Sequence, residues 1–351
     1  MKYLVTGAAG FIASRTARML IEQGHDVVGV DNLNDYYDRR MKLNRLAVIG
    51  RETGADSEQV VSLEAHIRSG SEGIPEVDFS TPSFTFRHLD IENKSAVLDL
   101  FEDHSFDAVL NLAARAGVRY SMKNPDIYMM TNAMGTLHLM DGMKNTGVKK
   151  MVLASTSSLY AGQEMPFTED LAVNTPISPY AASKKAAEAL AFSYHHLYDL
   201  DISVCRYFTV FGPMGRPDMC IFRFIRWINE GETLELFGDG SQSRDFTHVD
   251  DIARGTIAAL QPLGYEVFNL GGGKNPISLK QIIAWIEEML GKNAKIENKP
   301  FHKADIMETW AEISKGERVL GWKPQEGIRE GVQQCVNWYL ENRDWLSKVR
   351  M

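Results

Sequence analysis

The sequence predicts an α/β protein: a Rossmann-like, doubly wound parallel sheet closed over by a smaller α/β lid. Three observations carry that expectation. Short β-rich runs alternate with helical patterns through the first half of the chain. The turn Thr6-Gly7-Ala8-Ala9-Gly10-Phe11-Ile12 follows an apolar strand at once and opens a helix. Phe106-Asp107-Ala108-Val109-Leu110-Asn111-Leu112 is apolar almost throughout, as a strand buried on both faces must be.

In chain order, strands are predicted at 2–6, 26–31, 84–89, 107–112, 149–155 and 201–207, and helices at 11–23, 94–103, 126–146 and 179–200. Residues 51–82 interrupt this rhythm with Ser, Glu, Gly and Pro, and read as a surface excursion holding one helix near 57–67. Beyond Tyr207 the alternation loosens. A glycine- and proline-broken loop at 208–219 precedes a helix at 221–230, a strand at 234–237 and helices at 279–290 and 327–342. The last carries Val332, Val336, Tyr339 and Leu340 on one face. The expected division is a dinucleotide-binding unit of 1–207 with 242–271, and a ligand-binding unit of 208–241 with 272–351, closing over the strands' carboxyl ends.

Bulk properties narrow the class. With 351 residues the chain can bury a large core without disulfide or metal staples. A net charge of −8 with no basic run argues against nucleic acid or an anionic membrane as partner. Cys205, Cys220 and Cys335 lack metal-ligand spacing and read as reduced thiols of a cytosolic protein, so no metal is expected. No apolar run reaches the roughly 18 residues of a membrane span. The first residues run straight into the glycine turn, as a strand would and a signal peptide would not.

The spacing Gly7-x-x-Gly10-x-x-Ala13 has a mechanical meaning. Gly7 permits the tight turn, Gly10 lets backbone approach a pyrophosphate, and Ala13 allows close helix–strand contact. The helix start, with Ala9, Phe11 and Ile12 beside it, offers free N–H groups to phosphates. Asp31 ends the second predicted strand, where a carboxylate binds the adenosine ribose hydroxyls, and its charge favours NAD over NADP. Asp90 and Ile91, after the third strand, are placed to meet the adenine.

Tyr180 and Lys184 stand one helical turn apart, downstream of Ser155-Thr156-Ser157-Ser158. A phenol titrates near ~10, so a base near neutrality needs a shift of about 3 units, roughly 4 kcal/mol. One ammonium about 4 Å away supplies on the order of 4 kcal/mol at an effective dielectric of ~20. Lys184 shares a helix face with Tyr180 and is expected to supply it.

The glycine turn, Asn111-Leu-Ala-Ala, the Ser/Thr run and Tyr180-x-x-x-Lys184 together resemble the extended short-chain dehydrogenase/reductase family over nearly the whole chain. Asp31-Asn-Leu-Asn-Asp-Tyr-Tyr-Asp38, Ala116-Gly-Val-Arg-Tyr-Ser121 and the segment Arg206–Met219 resemble its UDP-glucuronate 4-epimerase branch. The resemblance implies bound NAD touching Asn32, Asn34, Asp35, Leu112, Ala113, Ala114, Ala116, Asn132 and Tyr207 besides the residues above. It implies that Tyr180 is the base at the sugar 4-hydroxyl and that Lys184 tunes it while holding the nicotinamide ribose. Thr156 and Ser157 would bond the 4-oxygen, and Arg216 and Thr209 the sugar carboxylate. Phe237 would flank the uracil, Arg244 the diphosphate, and Asp305 a ribose or phosphate-shell group. A homodimer built on the 94–103 and 179–200 helices is also implied.

Ser158 stands where sister dehydratases and decarboxylases carry an acid, so the resemblance implies epimerisation rather than dehydration. Arg115, Met214, Phe211 and Ala161 depart from the relatives' usual Gln, Trp, Tyr and Gly, and His302 from a frequent arginine. A neutral or N-acetylated UDP-hexose as substrate, a UDP-glucuronate decarboxylase, and a non-catalytic NAD sensor are the competing readings.

Overall fold

The computed structural model describes residues 1–71, 73–273, 276–301 and 307–351. Eight strands form one sheet: β1 (Lys2–Thr6), β2 (Asp26–Asp31), β3 (Phe79–Ser80), β4 (Phe84–His88), β5 (Ala108–Asn111), β6 (Lys150–Thr156), β7 (Asp201–Tyr207) and β8 (Tyr265–Leu270). Their spatial order is β8-β7-β6-β5-β1-β2-β4-β3, and every pairing is parallel except the β3–β4 edge. The order in which strands are added reverses between β1 and β5, which opens a crevice at their carboxyl ends. Smaller two-stranded pairings, Thr209–Phe211 with Phe246–His248 and Thr233–Phe237 with Lys295–Lys299, lie outside this sheet. Among the described residues no helix is long and apolar enough to cross a membrane.

Gly7 takes φ +69°, and a Cβ there would lie 2.8 Å from the Ala113 backbone, so the first turn needs glycine. The helix Phe11–Glu22 that follows buries Phe11, Ala13, Ala17 and Leu20. The Pro179–Tyr198 helix starts where Ser178 Oγ accepts from Ala181 N at 3.2 Å with Pro179 in the first turn, and stops at Asp199 in the left-handed region.

The 51–82 excursion holds the expected helix, at Ser57–Ser69, together with the end of an unforeseen helix, Arg39–Thr53, and the edge strand β3. The Arg39–Thr53 helix buries Lys42 and Arg45 along with Met41, Leu43, Leu46, Ala47 and Ile49. A helix buried on both its apolar and its basic positions has no apolar stripe to read. The 126–146 helix is three pieces, Pro125–Tyr128, a π-helical turn at Met129–Met134 and Gly135–Thr146.

Met129, Met130 and Met134 of that turn are exposed, as are Phe192 and Leu197 of the Pro179–Tyr198 helix. The Lys94–Asp103 helix, by contrast, turns Val97, Leu100 and Phe101 inward. The exposed apolar side chains thus lie on the 125–146 segment and the Pro179–Tyr198 helix rather than on the 94–103 helix. Leu340 likewise faces solvent, 44% exposed, while Val332, Val336 and Tyr339 are buried.

Beneath the strand ends lies a buried ion pair. Arg206 of β7 donates from Nε and Nη2 to Glu188 of the Pro179–Tyr198 helix at 2.9 and 2.8 Å, and from Nη1 to the Tyr160 hydroxyl at 2.8 Å. Ser155 Oγ of β6 donates to the same Glu188 at 2.6 Å. Glu188→Ala would strand a buried guanidinium and is expected to cost about 3–5 kcal/mol in urea unfolding. Glu188→Leu with Arg206→Met should recover most of that loss.

Candidate active site

The crevice becomes a cleft of about 400 Å³ across the carboxyl ends of the central strands. Its floor is set by one hydrogen-bond chain. Thr6 Oγ1 donates to Asn111 Oδ1 at 2.8 Å and accepts from Leu112 N and Ala113 N at 3.1 Å, while Asn111 Nδ2 donates to Thr136 Oγ1 at 2.9 Å. Gly7, Gly10, Phe11 and Ile12 line one wall. Gly10 caps the first helix with no side-chain bond, and the first turn holds no acid, so its N–H groups remain available to an anion.

Asp31, Asn32, Asn34, Asp90 and Ile91 line the far end. Asp31 Oδ1 accepts from Leu33 N at 2.8 Å and from Lys42 Nζ at 3.2 Å, which fixes the carboxylate at the cleft wall. Asn32 Nδ2 donates to Asp90 Oδ2 at 2.8 Å, tying the two loops. Leu112, Ala113, Ala114, Ala116 and Tyr207 complete this lining.

Three expected contacts do not reach the cleft. Asp35 is exposed, its carbonyl accepting from Arg350 at 2.6 Å. Ala9 contributes its carbonyl to Arg45 Nη1 at 3.0 Å instead. Asn132 sits one layer behind, where the π turn aims it: Oδ1 accepts from Arg115 N at 2.8 Å, and Nδ2 donates to Arg115 O and Ser183 Oγ. It holds the 113–116 loop rather than lining the cleft.

Thr156, Ser157, Tyr180, Lys184, Thr209 and Arg216 converge at the near end. Thr156 accepts from Ser158 N at 3.2 Å and hydrogen-bonds the Tyr180 phenol. Burial raises the Tyr180 pKa, and the Thr156 bond and the Arg216 charge offset only part of that rise. Lys184 turns its ammonium to Ala154 O at 3.0 Å, and the Arg216 charge is the one that offsets part of the rise at Tyr180. Burial lowers Lys184 to about 8, with Glu188 pulling the other way.

Arg216 differs from expectation too. Its Nε and Nη2 donate to Asp218 at 3.0 and 2.5 Å, so one fork of the guanidinium is already taken. Burial works against the Arg216 charge, and Asp218 more than restores it. Phe237 and Arg244 lie outside this cleft. The Arg119 guanidinium covers the Phe237 ring at 4.2 Å, and Arg244 Nη1 donates to Ser243 O and Met307 O. Asp305 and His302 fall outside the described residues.

Residues the sequence reading passed over complete the site. Tyr36 lines the cleft from the loop after β2, and Asp218 from the loop after β7. Both stand inside the quoted motifs, which was the available signal. Arg45, fully buried, joins Ala9 O, the Tyr37 hydroxyl and Met214 O, so it ties the glycine turn to the 208–219 loop.

The model of the NAD dependent epimerase/dehydratase family matches residues 3–271. The UDP-glucuronate 4-epimerase of Thermodesulfobacterium geofontis is 52% identical over 349 residues, covering 99% of each chain. The Bacillus cereus UDP-glucuronic acid 4-epimerase, solved in complex with UDP-glucuronic acid and NAD, superposes with a TM-score of 0.82 at 34% identity, covering 97% of this chain and 100% of that one. The Thermotoga maritima UDP-glucose 4-epimerase, solved with UDP-glucose, superposes at 0.81 with 28% identity over 98% of this chain and 100% of that one.

The depressed Lys184 amine has a direct test. Its NMR titration in the ligand-free protein should centre near 8 rather than 10.5. Because the Glu188 charge raises that value, Glu188→Gln should move the midpoint lower still.

Proposed function

The chain belongs to the NAD-dependent epimerase/dehydratase family, and on that footing we propose that it is a UDP-sugar 4-epimerase interconverting UDP-glucuronate and UDP-galacturonate. The observation that carries this reading is 52% identity across 99% of both chains to a protein of that activity. The cleft supports it with a phenol, its hydroxyl partner and a guanidinium at one end.

NAD fits the long wall: the uncapped helix start at Gly10 suits the pyrophosphate, Gly7 the close backbone approach, and Asp31 the adenosine ribose. When bound, it supplies the hydride acceptor and donor for the sugar C4 and a positive charge beside the phenol. Tyr180 takes the proton of the 4-hydroxyl, Thr156 orients the phenol, and Lys184 is placed to hold the nicotinamide ribose. The 4-keto sugar then turns about its diphosphate linkage and presents the opposite face. On the return, Tyr180 gives its proton back to the 4-oxygen. No net redox change remains, so the cofactor needs no recycling partner.

A uronate adds a constraint. With C4 oxidised, the carboxylate is that of a β-keto acid, and it is lost if the C5–C6 bond aligns with the carbonyl π system. In this reading Arg216 and Thr209, which line the cleft, hold it out of alignment. Of the carboxylates lining the cleft, Asp31 and Asp90 lie at the β2–β4 end and Asp218 sits in the Arg216 fork. Among the described residues, no carboxylate of the cleft lining other than the Arg216-bound Asp218 belongs to the end that holds Thr156 and Tyr180. We assign NAD to residues 1–207 with 242–271 and the UDP-sugar to 208–241 with 272–351. A homodimer packed through the 125–146 and 179–198 segments, working in the cytoplasm, is part of the same proposal.

Purified protein given UDP-glucuronate and no added NAD should form UDP-galacturonate, read by chromatography; no epimer at all would overturn the reading. Tyr180→Phe should lower kcat by about 10²–10⁴ while retaining bound cofactor. Arg216→Ala should abolish uronate epimerisation, and survival of that activity would return the substrate to a neutral hexose.

A further inference from the structure

Resting on that reading, we propose that Tyr36 and Asp218 are positioning residues that fix the plane of the Arg216 guanidinium, and through it the uronate carboxylate, so that the 4-keto intermediate keeps its carboxyl group.

A guanidinium has two edges that grip a carboxylate bidentately, and it turns freely unless both an edge and a face are held. Here both are held by protein. Asp218 takes the Nε–Nη2 edge at 3.0 and 2.5 Å. The guanidinium carbon lies over the Tyr36 ring, 5.3 Å from its centroid. The Tyr36 hydroxyl also hydrogen-bonds Arg216 and Tyr128. A ligand carboxylate is left only the N–H groups that Asp218 and Tyr36 do not engage, and these lie in the guanidinium plane.

Tyr36 reaches this point from the loop that carries Asp31 and Asn32, at the other end of the cleft. It passes over to Gly117, where a Cβ would lie 2.2 Å from its hydroxyl. Gly117 holds φ +107°, and the Tyr128 hydroxyl donates to the carbonyls of Ala116 and Gly117 at 3.0 Å. The arm is therefore seated at its tip, not adrift in the cleft.

The chemistry makes orientation decisive. In the 4-keto sugar the C5–C6 electron pair can move into the C4 carbonyl, giving an enolate and carbon dioxide, with a proton later taken up at C5. No other reactant is needed, so only the angle of the carboxylate opposes it. A guanidinium that still binds but tilts would let the loss proceed.

The test partitions turnovers of the full-length protein on UDP-glucuronate labelled at C6, counting carbon dioxide against UDP-galacturonate. Asp218→Asn and Tyr36→Leu should raise that ratio on the order of tenfold, the effect of one charge-assisted contact. Tyr36→Phe, which keeps the ring and loses the hydroxyl, should raise it less. A ratio equal to wild type in all three variants, with kcat reduced or not, overturns the proposal. Silence in all three, with neither product formed, overturns it equally, because misorientation predicts leakage. If wild-type protein makes no UDP-galacturonate, it is the functional reading that falls instead. Melting temperatures and bound-cofactor content confirm that each variant is folded.

Discussion

Glu188 and Arg206 impose the constraint from which the rest of the site follows. The Pro179–Tyr198 helix brings Tyr180 and Lys184 on its first two turns, yet it packs against a sheet whose strands offer mostly apolar faces. Apolar packing alone sets distance better than rotation. The Glu188 carboxylate, gripped by Arg206 of β7 and by Ser155 of β6, removes that rotational freedom. A tilted helix would break three hydrogen bonds in a dry interior. The same fork reaches Tyr160, whose hydroxyl donates to Asn269 of β8 at 2.7 Å. One buried charge pair thus registers three strands and the catalytic helix together, and Thr156 meets the phenol as a result.

Arg45 plays the matching part between two loops far apart in the chain. Its guanidinium bridges the carbonyl of Ala9 in the glycine turn and that of Met214 in the loop bearing Arg216. The loop that would face the sugar is therefore hung from the turn that would face the cofactor. Met214 itself sits at φ +60°, a conformation uncommon for a branched-free side chain and held here by two donors to its carbonyl.

The sheet, the glycine turn and the membership of Tyr180 and Thr156 in one site were legible in the sequence because each leaves a local mark: short apolar runs, glycines at a fixed offset, hydroxyls at a strand end. What escaped was set by partners distant in the chain. Nothing near Lys42 announces that Asp31 lies beside it, and nothing near Lys184 announces that Ala154 O would take its ammonium. The expected lysine-to-phenol coupling rested on helix spacing, which fixes a shared face but not where a long side chain ends. Arg39–Thr53 was missed for a related reason, since its basic residues turn inward along with its apolar ones. The Asp218 fork on Arg216 adjoins it in sequence, but whether an acid two residues on pairs or faces solvent depends on burial.

The seat of Tyr36 at Gly117 makes one stretch of the gene wait on another. Because a methyl group at 117 would occupy the space of the phenolic oxygen, the glycine codon cannot drift while the aromatic arm stands. A lineage that acquires a side chain at 117 must first shorten residue 36, and must then still bear a left-handed backbone at that point. Among descendants of this sequence the glycine is expected to outlast changes at residue 36.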